Sequence, residues 1–288
     1  MKIGTFAAFT SPHATPKMMQ DFGRDAENLG LDSIWVGEHV LLFDEMEFPY
    51  PGSRDGKIPV PENGGLLDTV ATLAYLAGNT KTLRLGTGIT LLPQRNPIYT
   101  AKEFTTLDWL SDGRIDFGVG VGWCKEEVLA CGYSWHDRGA RCDEFLELLQ
   151  ALWTEPLASY QGDHFTLQPS RMDPKPLQKP HIPIIVGGHS GAALRRAARF
   201  GNGWYGFGID PQATRAALDR LDQALAAEGR TREGFDVIMT PPFRVSEEMV
   251  RQYIDLGVDR LVVQLGGQRQ ESVSKRFGEL EKLVAVAA

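Results

Sequence analysis

Residues 83–123 read LRLGTGITLLPQRNPIYTAKEFTTLDWLSDGRIDFGVGVGW, a sequence that predicts a strand, a helix and a second strand. Residues 83–91 are apolar and rich in β-branched side chains, and residues 114–122 are again apolar, with several glycines. Both segments are typical of strands that are buried on two faces. Because a helix separates them, we expect the two strands to run parallel in one sheet as a βαβ unit.

The connecting helix has a clear start and a clear end in the sequence. Asn96 is a favourable N-cap residue, and Pro97 suits the first helical position. Apolar residues then recur every third position as far as Leu110, which predicts one buried helical face. Asp112 and Gly113 follow, and a glycine at this point is typical of a helix end.

Glycines lie at the ends of both strands of this unit. Gly88 is near the end of the first strand, and Gly118, Gly120 and Gly122 are at the end of the second. The missing side chains suggest that a flat ligand approaches the backbone at this edge of the sheet. These glycines do not complete a dinucleotide-binding fingerprint, because the third glycine would fall at Trp123.

The alternation of strand and helix continues along the whole chain. The predicted strands are residues 2–9, 33–39, 83–91, 114–122, 182–186, 203–207, 235–240 and 260–265. A predicted helix follows each of them, and their unalternating apolar character indicates burial on both faces. Eight such units in 288 residues predict an α/β fold, a (β/α)8 TIM barrel that forms a single domain over residues 1–288. A doubly wound open sheet is the alternative, but its fingerprint is missing.

Two segments are too long for ordinary loops, which predicts insertions after strands 2 and 4. Residues 41–65 contain several prolines and glycines without periodicity, as in a lid or a binding loop. After strand 4, the stretch that follows Trp123 is predicted to be mostly helical, most strongly over residues 141–153. A proline-rich extended segment follows it and could include a small hairpin at residues 160–167.

The composition argues against several classes of partner. With a net charge of −7, the chain lacks the basic surface expected for nucleic acid or an anionic membrane. No apolar run approaches the ~18 residues of a membrane span, and the first residues lack the charged lead of a signal peptide. The three cysteines have no CxxC spacing, which argues against a metal site or a disulfide framework. We therefore expect reduced thiols and a cytoplasmic location.

The carboxyl ends of the predicted strands converge on one mouth, where few residues can transfer protons. His39, at the end of strand 2, is the strongest candidate for proton transfer, because imidazole exchanges protons near neutral pH. A histidine that only makes a structural hydrogen bond there is the alternative. Glu38 should point to the opposite face of the strand, so a structural partner is the alternative for this residue too.

The best predicted anion site is the turn at residues 187–190, Gly-Gly-His-Ser. Amide groups at a helix start suit a phosphate, although an ordinary capped turn has the same sequence. Arg195 and Arg196 lie further along this helix and are expected to face elsewhere. Arg138 and Arg141 form a second possible phosphate clamp, with solvated ion pairs as the alternative.

Five segments together resemble one known family: residues 30–39, 85–89, 95–97, 113–123 and 187–188. The chain resembles the bacterial luciferase-like monooxygenase superfamily, on the branch that includes coenzyme F420-dependent oxidoreductases. This resemblance implies a TIM barrel with an inserted segment and a homodimer. It also implies that a flavin or deazaflavin binds at the carboxyl ends of the strands.

The resemblance further assigns roles to individual residues. It implies a non-proline cis peptide at Gly88–Ile89 behind the cofactor ring, a phosphate at Gly187–Gly188 and a substrate-side role for His39. The predicted cofactor-binding residues are Glu38, Gly88, Ile89, Gly120, Gly122, Trp123, Gly187 and Gly188. In some deazaflavin enzymes an acid follows the glycines of the fourth strand, whereas this chain has Trp123.

The leading hypothesis is an oxidoreductase in which coenzyme F420 exchanges hydride with a small organic substrate and His39 handles the proton. One alternative is a monooxygenase that uses reduced FMN and oxygen in the same pocket. Another is a flavin-binding protein without turnover. A phosphate-binding lyase or isomerase barrel is disfavoured, because no lysine or acidic metal cluster lies at a clear strand end.

Overall fold

Eight parallel strands close into a barrel in the part of the chain that the computed structural model describes, which confirms the predicted (β/α)8 fold. The described residues are 1–50, 53, 55–242, 245–265 and 270–287, those at 270–274 by their backbone alone. The strands are β1 (Lys2–Phe6), β2 (Ser33–Val36), β3 (Arg84–Thr87), β4 (Thr90–Leu91), β5 (Ile115–Gly120), β6 (Ala158–Gln161), β7 (Thr166–Ser170), β8 (Ile184–Gly187), β9 (Gly203–Phe207), β10 (Asp236–Thr240) and β11 (Arg260–Gln264).

Helices surround the barrel. They are α1 (Pro16–Asn28), α2 (Thr69–Asn79), α3 (Pro97–Leu110), α4 (Lys125–Ala130), α5 (Arg138–Thr154), α6 (Gly191–Phe200), α7 (Pro211–Ala227), α8 (Glu247–Asp255) and α9 (Gln270–Ala287), with a short 3-10 helix at Leu92–Gln94. Asn96 caps α3 as predicted, because its side chain accepts from the amides of Ile98 and Tyr99. Among the described helices, none combines the length and the apolar character that crossing a membrane requires.

The order of the strands closes the sheet on itself. Neighbours run β3-β2-β1-β11-β10-β9-β8-β5, and β5 returns to pair with β3, with Leu85 opposite Ile115. The short β4 pairs with β5 further along. β6 and β7 form a separate antiparallel hairpin, close to the one predicted at residues 160–167. All eight barrel strands therefore present their carboxyl ends at one mouth.

The barrel interior is filled by large side chains. The buried cluster at its centre consists of Trp35, Ile185, Tyr205, Ile238 and Val262. The rings of Trp35 and Tyr205 stack with their centroids 5.2 Å apart. Ile34 and Val36, on either side of Trp35, belong instead to the core between strands and helices. The strands are thus buried on both faces, as their sequences indicate.

Buried charges seal the amino-terminal end of the barrel. Arg260 lies 2.6 Å from Asp116 and 2.8 Å from Asp32, and Arg84 forms a further ion pair with Asp116. Burial alone would raise the pKa of Asp116, but the Arg260 and Arg84 guanidinium groups hold it below its usual value. This network lies opposite the mouth, at the end where TIM barrels keep residues that serve stability.

Several strands end earlier than predicted. β1 stops at Phe6 instead of residue 9, and β2 stops at Val36 instead of residue 39. Just beyond β1 the Ala7 amide still donates to the Trp35 carbonyl of β2 at 2.8 Å, but at Phe9 the backbone bonds to a loop, because its carbonyl accepts from the Leu67 amide at 2.9 Å. Strand pairing therefore ends where the chain begins to build the mouth.

The two longest connections follow β2 and β5, which are the second and fourth strands of the barrel along the chain. Insertions were predicted at these two places. Residues 37–68 join β2 to α2, and residues 121–183 join β5 to β8 and contain α4, α5 and the hairpin. The helix predicted over 141–153 extends from Arg138 to Thr154, while the six-residue α4 was not predicted as a separate helix. Because β2 and β5 flank β3 in the barrel, both connections emerge beside each other at the mouth.

Candidate active site at the barrel mouth

A cis peptide bond joins Gly88 to Ile89, as the family resemblance implied. It divides the predicted strand 83–91 into β3 and β4. The Gly88 amide still donates to the Val36 carbonyl at 2.7 Å, so the bulge stays attached to β2. The predicted cis bulge is thereby confirmed and lies at the carboxyl end of β3.

The side chain of Ile89 fills the space beside two of the predicted glycines. A β-carbon at Gly120 would overlap Ile89, and one at Gly187 would lie 2.8 Å from Ile89 Cγ2. A β-carbon at Gly118 would overlap the Thr87 carbonyl oxygen. The expectation that glycines leave room for a flat ligand is therefore wrong at Gly118 and Gly120, where the protein's own atoms occupy the room.

Glu38 and His39 both lie beyond the end of β2, and their side chains bind different partners. The buried carboxylate of Glu38 accepts from the Leu91 amide at 2.6 Å and forms an ion pair with Arg95, which also pairs with Glu103 at 2.6 Å. Burial raises the pKa of Glu38, and the Arg95 guanidinium opposes that rise. Glu38 thus fastens the chain after the cis bulge to β2, while its predicted contact with a cofactor stays a prediction.

His39 is held by a carboxylate from the other long connection. Its Nδ1 lies 2.9 Å from Oε2 of Glu127, a residue of α4 whose side chain is fully buried. The second oxygen of Glu127 accepts from the amides of Val40 at 2.6 Å and Leu41 at 3.3 Å. The imidazole is 12% exposed and meets the Trp123 ring edge-on, with centroids 5.7 Å apart. One carboxylate therefore orients both the ring and the backbone that follows it.

Glu127 was missed by the sequence reasoning. It is 88 positions from His39 and belongs to α4, which lies in the stretch predicted to be mostly helical but was not predicted as a separate helix. The available signal was the expectation of an acid after the glycines of strand 4. Trp123 stands at the expected position, and Glu127 follows it four positions later.

The loop after β2 packs against the loop after β5 and forms one side of the mouth. The Tyr50 ring lies 5.5 Å from that of Trp123, and Phe48 stacks on Trp135 at 6.0 Å. Glu47 pairs with Lys125 of α4 at 2.5 Å. Residues 41–50 therefore lie along the same helix that holds His39, as expected for a binding loop.

Gly122 and Trp123 make the turn from β5 towards α4. Gly122 has φ +74°, a left-handed conformation that glycine adopts without strain. Trp123 is half-buried between Tyr50 and His39. Trp123 is thus a mouth residue, whereas Trp35 and Trp204 are fully buried core residues.

The predicted phosphate clamp at Arg138 and Arg141 is used for packing. The Arg138 guanidinium carbon lies 3.7 Å from the centre of the Trp135 ring. Arg141 is buried, pairs with Asp137, and donates to the carbonyls of Ser134 and Pro93. These bonds make Arg141 a buried structural residue, which is neither a clamp nor a solvated ion pair.

The glycine turn after β8 leads directly into α6. Gly188 has φ +107°, and the Ser190 hydroxyl caps the helix by accepting from the Ala193 amide at 3.1 Å. The amides of Gly191 and Ala192 belong to the first turn, where helical bonding has not begun. The positive end of the helix dipole and these amides suit a negatively charged group.

A guanidinium group adds positive charge to this turn. Nη1 of Arg195 would lie only 3.4 Å from a β-carbon at Gly191, so Arg195 folds back over the helix start. Arg196 points away and bonds to Asp143 at 2.5 Å. The expectation that both arginines face elsewhere is therefore right for Arg196 and wrong for Arg195. Burial, together with the Arg220 guanidinium, lowers the pKa of His189 in the same turn.

Comparison with known proteins identifies the family. Residues 1–283 match the profile of the luciferase-like monooxygenase family. The chain belongs to this family and is an oxidoreductase, as the resemblance of its strand ends implied.

Individual relatives align with most of the length of this chain. An uncharacterized protein of Mycobacterium tuberculosis is 30% identical over 266 residues, 92% of each chain. An F420-dependent glucose-6-phosphate dehydrogenase of Microbacterium testaceum is 30% identical over 231 residues, which are 78% of this chain and 63% of that enzyme. The structure of an F420-dependent secondary alcohol dehydrogenase in complex with an F420–acetone adduct gives a TM-score of 0.81 at 17% identity, covering 100% of this chain and 99% of that one. This structural likeness shows a shared fold.

Proposed function

We propose that this protein is a coenzyme F420-dependent oxidoreductase that moves hydride to or from a small organic substrate. The observation that carries the proposal is the position of His39, whose Nδ1 is anchored by Glu127 while the ring lies beside Trp123 at the mouth. The similarity to an F420-dependent dehydrogenase supports the choice of cofactor. The deazaflavin, when bound, supplies the hydride chemistry, and the protein supplies orientation and proton transfer.

The residues at the mouth fit such a cofactor. The α6 start, with the Gly191 and Ala192 amides and Arg195, provides a seat for a phosphate at one side of the barrel. The cis bulge at Gly88–Ile89 presents an apolar surface at the adjacent strand ends. These two features are what a flat ring with a phosphorylated tail requires. In this proposal Gly122, Trp123, Gly187 and Gly188 line the path between them, while Gly120 is covered by the side chain of Ile89.

His39 handles the proton in the proposed reaction. When an alcohol is oxidised, its hydroxyl proton must leave as hydride leaves the carbon, and reduction of a ketone needs the reverse transfer. A positioned imidazole is suited to both directions near neutral pH. The loop of residues 41–50, which packs on α4, would exclude water from this side of the substrate.

Cofactor titration tests the proposal. Purified protein is titrated with F420 and, in parallel, with FMN, each in the oxidised and the reduced form, and binding is followed by fluorescence and calorimetry. We expect saturable 1:1 binding of F420 and much weaker binding of FMN. Tight binding of FMN without binding of F420 would overturn the choice and favour the reduced-FMN monooxygenase. The homodimer is likewise a proposal, to be checked as a solution mass of twice 31.8 kDa by light scattering.

A further inference from the structure

We infer that Glu127 fixes the neutral imidazole of His39 in the tautomer that carries its hydrogen on Nδ1, which leaves Nε2 as the atom that accepts or returns the proton. The role in proton transfer rests on the proposed function, whereas the tautomer itself does not. Glu127 is in this view a positioning residue, since it acts through His39.

At the first carboxylate oxygen of Glu127, the donor and the acceptor of each hydrogen bond are unambiguous. Oε1 lies 2.6 Å from the Val40 amide nitrogen and 3.3 Å from that of Leu41. A backbone N–H can only donate, so Oε1 must accept in both bonds. The side chain of Glu127 is fully buried, which makes loss of either bond costly. This oxygen is therefore committed to the backbone after His39.

The second oxygen then determines the state of the histidine. Oε2 lies 2.9 Å from Nδ1 of His39. A glutamate carboxylate only accepts hydrogen bonds, so Nδ1 must carry the hydrogen and donate it. In a neutral ring the lone pair is then at Nε2. The edge-on Trp123 ring, with its centroid 5.7 Å away, packs against the imidazole in this orientation.

A glutamine at this position should reverse the tautomer without changing shape. In Glu127→Gln the amide oxygen must still face the two backbone donors of Val40 and Leu41, because the NH2 group would face them donor to donor. The NH2 group is then directed at Nδ1 of His39, which can accept only if its hydrogen has moved to Nε2. The equivalent carboxylate-to-amide exchange in serine proteases lowers turnover about 10⁴-fold through the wrong tautomer.

Nitrogen NMR measures the tautomer directly, without substrate or cofactor. The protein is labelled with 15N-histidine, and two-bond 1H–15N correlations are recorded in a pH range where the ring shifts no longer change, so that the ring is neutral. The His39 signals are assigned by their loss in His39→Asn. We expect a protonated Nδ1 and a bare Nε2 in the wild type, and the reverse in Glu127→Gln.

Glu27→Gln is the matched control. Glu27 also accepts from consecutive backbone amides, those of Lys81, Thr82 and Leu83, but at the opposite end of the barrel. This variant removes the same charge and should leave the His39 tautomer unchanged. A wild-type ring with its hydrogen on Nε2 would overturn the inference, and so would a folded Glu127→Gln protein with an unchanged tautomer. If the Glu127→Gln protein does not fold, the wild-type spectrum alone tests the inference.

Kinetics separate this inference from the proposed function. With F420 and an accepted substrate, Glu127→Gln should lower kcat about 10²- to 10⁴-fold while the Kd of F420 stays the same. Wild-type turnover combined with a reversed tautomer would remove the assigned role of Nε2. Absence of F420 binding would contradict the proposed cofactor and leave the NMR result intact.

Discussion

The side chain of Ile89 occupies the space in which Gly120 would carry a β-carbon. The two residues lie on adjacent parts of the barrel wall, one at the cis bulge and one at the end of β5. Gly187 of β8 borders the same side chain. Three strand ends are thus shaped around one isoleucine, on which the cofactor ring would lie in the proposed function.

Gly120→Ala should destabilise the protein by about 1–3 kcal/mol, because the new methyl group collides with Ile89 in a packed interior. The free energy of unfolding in urea measures the effect. Gly78→Ala is the control and should not lose stability. Its β-carbon would meet nothing within 4 Å, and glycine is unfavourable in a helix. Restoration of stability in Gly120→Ala combined with Ile89→Ala would assign the loss to this contact, and a fully stable Gly120→Ala protein would contradict it.

His39→Ala should lower turnover with F420 about 10²- to 10⁴-fold, because the proton at the substrate oxygen loses its acceptor. Binding of F420, measured by fluorescence, should persist. His136→Ala, at an exposed position, is the control and should retain activity. Unchanged turnover in His39→Ala would remove this residue from the mechanism, and a protein that binds F420 but never turns over would be a deazaflavin-binding protein only.

Arg195→Ala should weaken binding of F420 about tenfold, the size expected for loss of one charge-assisted contact with a phosphate. A deazaflavin riboside without phosphate should bind both proteins equally, since it does not reach the α6 start. Arg199→Ala removes the same charge from the same helix, where the guanidinium pairs with Glu147 at 2.7 Å, and should change neither affinity. Equal losses for both ligands in Arg195→Ala would place the phosphate elsewhere.

Protonation of Asp116 should contribute to unfolding of the protein in acid. Its pKa is lowered in the folded protein, so the native state binds fewer protons than the unfolded state near pH 4 and below. The stabilisation is complete above the unfolded pKa, about 3.9, and is lost as the pH falls through the lower folded value. Urea unfolding at pH 7, 5, 4 and 3 should show this decline.

Asp116→Asn isolates that contribution. The variant should be about 3–5 kcal/mol less stable at pH 7, because Arg260 and Arg84 lose a buried partner. Its stability should also depend less on pH below 4. A variant with the wild-type pH dependence would mean that other carboxylates govern the acid transition.

Much of the barrel follows from local sequence. Asn96 and Pro97 start α3 as predicted, and Gly113, with φ +73°, follows its end. Eight apolar strands separated by helices have few arrangements other than a closed parallel barrel. The position of the cis bulge and the substrate-side role of His39 came from family resemblance, because strand alternation alone does not distinguish a bulge from a regular strand end.

The sequence by itself determined the order of the elements, the (β/α)8 architecture and the candidacy of His39, because hydrophobic period, caps and turn residues act over a few positions. Only the tertiary structure decided which side chains contact one another. It joined His39 to Glu127 across 88 positions, placed Ile89 over Gly120, and turned Arg195 towards the start of α6 while Arg196 faced Asp143. These contacts depend on how separate segments meet in space, and no local preference of the chain encodes that distance.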